Sequence, residues 1–150
     1  MKKTITWILV ADGSRARILK NEGPGKGVQP AMDGEFRHEL PKTRELGADR
    51  PGRNQEPFTG AGRHAMDNPV DWHRFEKEKF AREMAKVLDR ANNAGAFDRL
   101  VLVAPPKTLG DLRAALAPAT RKKVIGEIDK DLTQLTPGEL PDHLGSVLAV

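Results

Sequence analysis

The chain alternates between short apolar runs and polar turns, and this pattern predicts a layered fold of strands and helices. Residues 5–11 form a continuous apolar and β-branched run, which predicts a buried strand. Asp12-Gly13 follows, and residues 15–20 return as a second strand. The pair predicts a β-hairpin, because Asp and Gly tolerate the positive φ angles that tight hairpin turns require.

The middle of the chain changes from a strand period to a helix period. Residues 35–40 predict a third, partly charged strand close to a sheet edge. Residues 72–94 predict a helix, and Gly95 stands where a C-terminal cap is expected. The apolar side chains of this helix fall on one stripe: Phe80, Met84, Val87, Leu88 and Ala91.

The last third of the chain predicts alternating strands and helices. Residues 99–104 are apolar throughout, which predicts a strand covered on both faces. Thr108 resembles an N-cap with Asp111 three residues later, and it predicts a helix over residues 109–116. Residues 123–131 predict a strand, with Asp129 and Asp131 on one face. Pro137 predicts the start of a final helix. Its inward side chains are Leu140, Leu144, Val147 and Leu148.

These elements predict one α/β domain over residues 1–150. The order favours a mixed sheet with an N-terminal antiparallel hairpin and helices on both faces. A chain of 150 residues is long enough to bury a core of that size. No internal repeat is visible, and the sequence does not predict an oligomeric state.

A Gly/Arg/Pro-rich segment at about residues 41–71 interrupts this regular pattern, and we call it the tract. A connection of about thirty residues is far longer than usual, and loops of that length are commonly functional or disordered. Arg50, Arg53 and Arg63 alternate with glycines, a combination suited to phosphate groups because arginine presents a planar fork. With Lys107 they are the candidate residues for binding an anion such as RNA. The alternative is a solvated loop of mixed charge.

The amino-acid composition of the chain excludes several classes of function. The net charge of +4 permits an anionic partner without requiring one. The absence of cysteine excludes disulfides, thiol catalysis and zinc–thiolate sites. The N-terminal apolar run is too short for a signal peptide, and no segment predicts a membrane span. We therefore expect a cytoplasmic protein with no membrane partner, no cofactor and no metal.

Two clusters of side chains are candidates for a catalytic or metal site. Asp12 ends the first strand, as a metal-binding carboxylate does in ribonuclease-H-like nucleases, and Asp129 and Asp131 follow a later strand. The alternative for Asp12 is a hairpin turn. A second cluster comprises His64, Asp67, Asp71 and His73, but its spacing matches no known metal site. Ser14 and Ser146, the two serines, lie in no nucleophile motif.

Several short motifs, in order and covering nearly the whole chain, resemble the bacterial host attachment protein family. They are VADGSRAR at residues 10–17, DRPGR at 49–53, GRHA at 62–65, VAPPK at 103–107 and KDLT at 130–133. The family name implies a role in bacterial attachment to host cells. Without a visible signal peptide, anchor or disulfide framework, we expect any such role here to be indirect.

A more distant resemblance links the chain to the middle domain of archaeo-eukaryotic peptide-release factors. ELPK at residues 39–42, GRNQ at 52–55 and RF at 74–75 stand in the order of that domain's strand, glutamine loop and helix. This resemblance implies a related fold. It also implies that Gln55 is the catalytic residue of a ribosome-rescue peptidyl-tRNA hydrolase. Arg53-Asn54 precede Gln55 where the family has Gly-Gly, the pair that permits close backbone approach.

The sequence therefore leads to one main hypothesis and three alternatives. The main hypothesis is a non-enzymatic cytoplasmic protein that contacts RNA or the ribosome through the tract. The alternatives are a peptidyl-tRNA hydrolase using Gln55, a metal-dependent nuclease using Asp12, and a protein-interaction module whose tract folds on its partner.

Overall fold

A six-stranded mixed sheet organises the protein. The structure, a computed structural model, describes residues 3–38 and 69–148. Its strands are β1 (Thr6–Ala11), β2 (Arg15–Asn21), β3 (Gln29–Pro30), β4 (Phe36–Arg37), β5 (Arg99–Val103) and β6 (Val124–Ile128). The strand order is β3-β2-β1-β5-β6, and β4 also pairs with β2. β1 pairs antiparallel with β2 and parallel with β5, which in turn pairs parallel with β6.

Four helices accompany the sheet in the described residues. They are α1 (Pro69–Asn93), α2 (Pro106–Ala115), α3 (Pro118–Arg121) and α4 (Pro141–Leu144). α1 begins three residues before the predicted helix, so the predicted loop at 41–71 extends too far at its C-terminal end. Residues 39–68, most of the tract, lie outside the described residues. No helix in the described part of the chain is long and apolar enough to cross a membrane.

Both faces of the sheet are covered, which confirms the predicted layered α/β fold. β1 is buried along its whole length because alternate side chains enter two different cores. Trp7 and Leu9 pack on the front face with the apolar stripe of α1 and with Leu109 and Leu112 of α2. Ile8 and Val10 face the back. The continuous apolar run in the sequence therefore reflects a central strand between two layers.

The back layer is irregular where the sequence predicted a helix from Pro137. Only residues 141–144 form a helix there, and the rest of the layer consists of turns. Three of the four predicted side chains, Leu140, Leu144 and Leu148, are nevertheless buried in this layer, and the fourth, Val147, is partly buried. Thr136 starts a short turn by donating its backbone N–H to Glu139 at 2.8 Å, and its hydroxyl donates to the same oxygen. These bonds lower the pKa of Glu139 because they favour its ionised form.

The N-terminal hairpin is confirmed, but its turn works differently from the prediction. Neither Asp12 nor Gly13 has a positive φ. The Asp12 carboxylate instead accepts the backbone N–H of Ser14 at 2.7 Å and that of Arg15 at 2.8 Å. The side chain of the first turn residue therefore holds the turn, as in an Asx-turn.

The end of α1 matches its prediction, whereas the start of α2 does not. Gly95 has a φ of 74°, and Ala96 donates its N–H to the Ala91 carbonyl at 2.9 Å, which is the Schellman pattern. α2 begins at Pro106 with Pro105 as its N-cap. Thr108 therefore lies inside the helix, because a proline at the first helical position already fixes the helical φ.

Two predicted strands are also shorter than expected. The predicted third strand over residues 35–40 corresponds to β4, which has two residues. A further short strand, β3, precedes it and was not predicted. β6 ends at Ile128, so Asp129 and Asp131 do not share a strand face, and both follow the strand in a loop.

Candidate functional site

The described residues form a cleft at the carboxyl ends of the parallel strands. β1 leads into Asp12, β5 leads into Pro105, and the loop after β6 carries Asp131. Such crevices are the usual ligand sites of α/β sheets. The cleft volume is about 710 Å³, within the range of small-molecule sites. Its lining residues are Asp12, Gly13, Ser14, His73, Arg74, Lys77, Pro105, Lys107, Thr108 and Asp131.

The hairpin wall of the cleft is held by a polar network that uses Asp12 structurally. Asp12 accepts two backbone N–H groups through Oδ1, and its Oδ2 lies 3.4 Å from Arg15 Nε. Arg15 also donates to the Thr133 hydroxyl at 3.1 Å, which ties the hairpin to the loop after β6. Both oxygens of Asp12 are therefore engaged, and this geometry favours the turn over the metal ligand. Residues 3–38 and 69–148 contain no group of three metal-ligating side chains.

The α1 wall of the cleft supplies cationic side chains. The Lys77 stem lies so close to Gly13 that a Cβ there would be 2.6 Å from Lys77 Cγ and Cδ. Gly13 is therefore required for the close approach of Lys77 to the hairpin. Arg74 donates to Asp111 of α2 at 2.5 Å, so its charge is partly neutralised. Lys77 has no carboxylate partner among the described residues.

The third wall is the start of α2. Its first i→i−4 bond runs from Leu109 N–H to the Pro105 carbonyl at 2.9 Å, so the N–H groups of Lys107 and Thr108 precede the helical ladder. No acidic residue and no side-chain cap stand in this first turn. The partial positive charge of a helix N-terminus adds to the charge of Lys107. This wall is therefore suited to an anion.

The two described ends of the chain on either side of the tract lie beside the cleft. His38 donates its backbone N–H to the Ser14 carbonyl at 2.8 Å, and its ring nitrogen Nε2 lies 2.6 Å from Glu76 Oε1 on α1. On the other side, α1 begins at Pro69 and soon supplies His73 to the cleft. The tract therefore leaves and re-enters the described fold next to the cleft.

The residues predicted from sequence divide into two groups. Lys107 lines the cleft, and so does His73 from the predicted histidine cluster. The tract residues Arg50, Arg53, Gln55 and Arg63 lie outside the described residues, as do His64 and Asp67. The side chain of Asp71 is also outside them. The binding and catalytic roles predicted for these residues therefore stay predictions.

Sequence reasoning missed Lys77 and Thr108 as cleft residues. The sequence analysis assigns no role to Lys77 and predicts Thr108 as a helix cap. For Thr108 the sequence contains a signal, because polar residues that follow parallel strands meet at one edge of the sheet. Lys77 lies two turns into the helix that precedes β5, and this position brings it over the same edge.

The fold and the cleft together define the class of protein: an α/β fold with a cleft at the carboxyl ends of its parallel strands, to which Arg74, Lys77 and Lys107 contribute cationic side chains. The family described as "Protein required for attachment to host cells" matches residues 7–144, so the chain belongs to the host attachment family. This match confirms the first resemblance seen in the sequence. A search of curated proteins found no match. The resemblance to release factors remains a prediction.

Proposed function

We propose that this host attachment family protein is a non-enzymatic cytoplasmic protein that contacts RNA, including ribosomal RNA, and that its role in attachment is indirect. The cleft and the tract form one interface in this proposal. The observation that carries it is that Lys77 of α1 and Lys107 in the first turn of α2 line the same cleft.

The charge balance in the cleft supports an anionic partner. Arg15 offsets Asp12, and Asp111 partly offsets Arg74. Lys77, Lys107 and Asp131 also line the cleft and form no ion pair among the described residues, so two cations stand against one carboxylate. Phosphate groups neutralise such lysines with release of counterions, which is the main source of sequence-independent affinity for nucleic acids.

The position of the tract supports a polymeric partner over a single small anion. The described residues on either side of the tract lie beside the cleft, and the proposal assigns the tract arginines to the same chain of phosphates. Phe58 is the one aromatic residue in the tract, and this composition favours contact with phosphates and RNA shape over base stacking.

Removal of the two cleft lysines should weaken RNA binding. We expect Lys77→Ala/Lys107→Ala to raise the Kd for a labelled structured RNA about tenfold and to reduce the salt slope of log Kd by about one to two. Fluorescence anisotropy at several salt concentrations measures both. Changing Arg50, Arg53 and Arg63 to alanine should lower the affinity further, and ribosome co-sedimentation at low and moderate salt should follow the same order.

A charge-matched variant provides the control. Lys86 and Lys122 are exposed and do not line the cleft, so Lys86→Ala/Lys122→Ala removes the same charge elsewhere. This variant should bind RNA with nearly the wild-type Kd. Equal losses in the two double variants would mean that only overall charge matters, and would contradict the proposed interface.

The alternative, a ribosome-rescue peptidyl-tRNA hydrolase using Gln55, draws on the order of the ELPK, GRNQ and RF motifs along the chain. It predicts release of a labelled peptide from stalled ribosomes, with release lost in Gln55→Ala. The non-enzymatic proposal expects no release by the wild-type protein. Peptide release that depends on Gln55 would contradict the non-enzymatic proposal and support the hydrolase.

A further inference from the structure

We propose that the outer edge of β6 pairs antiparallel with the same edge of a second copy of this chain, so that the two sheets join into one. A two-fold axis then passes beside Ile125, which faces Ile125 of the partner subunit. No residue of β6 lines the cleft, so this surface is separate from the proposed RNA contact and does not depend on it.

The edge of β6 is open on one side within the described residues. The strand pairs with β5 on its inner side, and it is the last strand of the sheet. The backbone hydrogen bonds of the described turns and loops add no partner on the outer side. Unpaired N–H and C=O groups along a strand edge are a template for a further strand. Ile125 is 42 % exposed on this strand, so an apolar side chain lies at the open edge.

The opposite edge of the sheet is a poorer template. It is formed by β3 and β4, which have two residues each, and β3 contains Pro30. Proline has no N–H to donate to a neighbouring strand. β6 has five residues and no proline. An added strand therefore fits the β6 edge better than the opposite one.

The charges along β6 make the strand complementary to itself. Lys123 lies two residues before Ile125, and Glu127 lies two residues after it. In an antiparallel pair centred on Ile125, Lys123 of each copy lies opposite Glu127 of the other. Arg121 and Asp129, near the two ends of the strand, repeat this pattern. Opposite charges that face each other across two strands stabilise the pair, and like charges destabilise it.

Both members of the Lys123–Glu127 pair can take part in this contact. Lys123 forms no ion pair with a carboxylate of the described residues. Glu127 accepts two hydrogen bonds from Arg113, at 2.9 Å and 3.1 Å, which fix its carboxylate in position. Each carboxylate oxygen can accept more than one bond, so Glu127 retains acceptor capacity for a lysine of the second copy.

A pairing shifted along the strand loses this complementarity. An antiparallel pair centred on Gly126 would place Ile125 opposite Glu127. It would also place Lys122 opposite Lys130, and like charges directly opposite each other are destabilising. The register centred on Ile125 avoids both conflicts, so the sequence of the strand specifies one pairing.

The dimer is expected to be weak, because two strands of five residues bury little surface. Small interfaces are typical of transient complexes, and we expect a Kd of about 100 µM. Protein at a few micromolar is then monomeric, and its unfolding is that of the single chain. Sedimentation velocity from about 10 to 1,000 µM measures this equilibrium.

Exchange of the two charges tests the pairing. Glu127→Lys sets two lysines opposite each other and should raise the Kd of the dimer at least about tenfold. Lys123→Glu/Glu127→Lys restores opposite charges in the same register and should return the Kd to within about threefold of the wild type. Asp33→Lys is the matched control, because Asp33 is exposed at the opposite edge of the sheet and gives the same change of charge.

A single cysteine tests the position of the axis. The chain contains no cysteine, so Ile125→Cys reports one contact. Cβ atoms of directly opposite residues are about 4.5–5.5 Å apart, close to the span of a disulfide. Mild oxidation should therefore link two Ile125→Cys chains at least about tenfold faster than two Asp33→Cys chains, which meet by random collision. Non-reducing electrophoresis measures both rates.

Three results would overturn the inference. A wild-type protein that stays monomeric over the whole concentration range would do so and would leave the proposed RNA contact untouched. A dimer that weakens equally in Glu127→Lys and Asp33→Lys, or that is not recovered by the charge exchange, would show an interface other than this β6 pairing. Equal oxidation rates for the two cysteine variants would show that Ile125 does not lie at the axis.

Discussion

Replacement of His38 by alanine is expected to lower the free energy of unfolding by about 2–3 kcal/mol, because it removes the partner of a buried carboxylate. The Glu76 side chain is 7 % exposed, and His38 Nε2 lies 2.6 Å from its Oε1. The His38 ring also packs on Phe80, with 5.8 Å between ring centroids. No other described residue bonds the Glu76 carboxylate, so the variant leaves it buried and unpaired.

Glu83→Gln is the matched control for this prediction. Glu83 lies 3.5 Å from the other ring nitrogen of His38, but its side chain is 50 % exposed. Water screens such a contact, and its loss should cost less than about 1 kcal/mol. Urea unfolding gives the free energy of unfolding of each variant, and equal m values show that the two free energies can be compared. A His38→Ala protein as stable as the Glu83→Gln protein would contradict the structural role of the His38–Glu76 contact.

Replacement of Leu140 by alanine is expected to lower the free energy of unfolding by about 2–5 kcal/mol, the usual cost of a cavity in a core. Leu140 is completely buried in the back layer, where it packs in one cluster with Ile8, Val101 and Leu144. The layer has little regular secondary structure, so side-chain burial is the main source of its attachment to the sheet. Thermal or urea unfolding measures the loss.

Ile125→Ala is the control, because Ile125 is an apolar β6 residue that is 42 % exposed. A substitution at such a surface position should change stability by about 0.5 kcal/mol. Comparable losses in the two variants would mean that the back layer does not cover the sheet as described.

The parts of the fold that the sequence predicted share a strong local signal. The β1–β2 hairpin follows from two dense β patterns around Asp12, and α1 follows from its apolar stripe and the cap at Gly95. The continuous apolar run of β5 also predicted, through its lack of alternation, that both sheet faces are covered. Each of these elements can be predicted from its own residues, because the signal does not depend on contacts with residues far away in the sequence.

The errors concern elements that tertiary contacts decide. β3 and β4 have two residues each and are held by pairing with β2. No local pattern predicted β3, and the pattern over residues 35–40 predicted β4 too long. The back layer has helical spacing of leucines, yet Pro141 and the turns around it limit the helix to residues 141–144. Burial of Leu140 and Leu144 was predicted because the need to bury an apolar side chain does not depend on the element that carries it.

The candidate site was predicted only in part for a related reason. Lys107 follows the end of β5 by four residues, so the motif VAPPK indicates a position near the carboxyl end of that strand. The Lys77 stem occupies the space that a side chain at position 13 would fill, a contact between residues 64 positions apart. Such a contact depends on how α1 crosses the hairpin, which the sequence does not specify locally.

The most direct test of the cleft as the RNA interface is a ¹H–¹⁵N correlation spectrum recorded during titration with a short structured RNA. The account predicts shift changes concentrated at the amides of Gly13, Ser14, Lys77, Lys107 and Thr108. It also predicts unchanged amides at Lys86 and Ile125, which lie away from the cleft. Shift changes centred on β6 around Ile125, with the cleft amides unmoved, would contradict it.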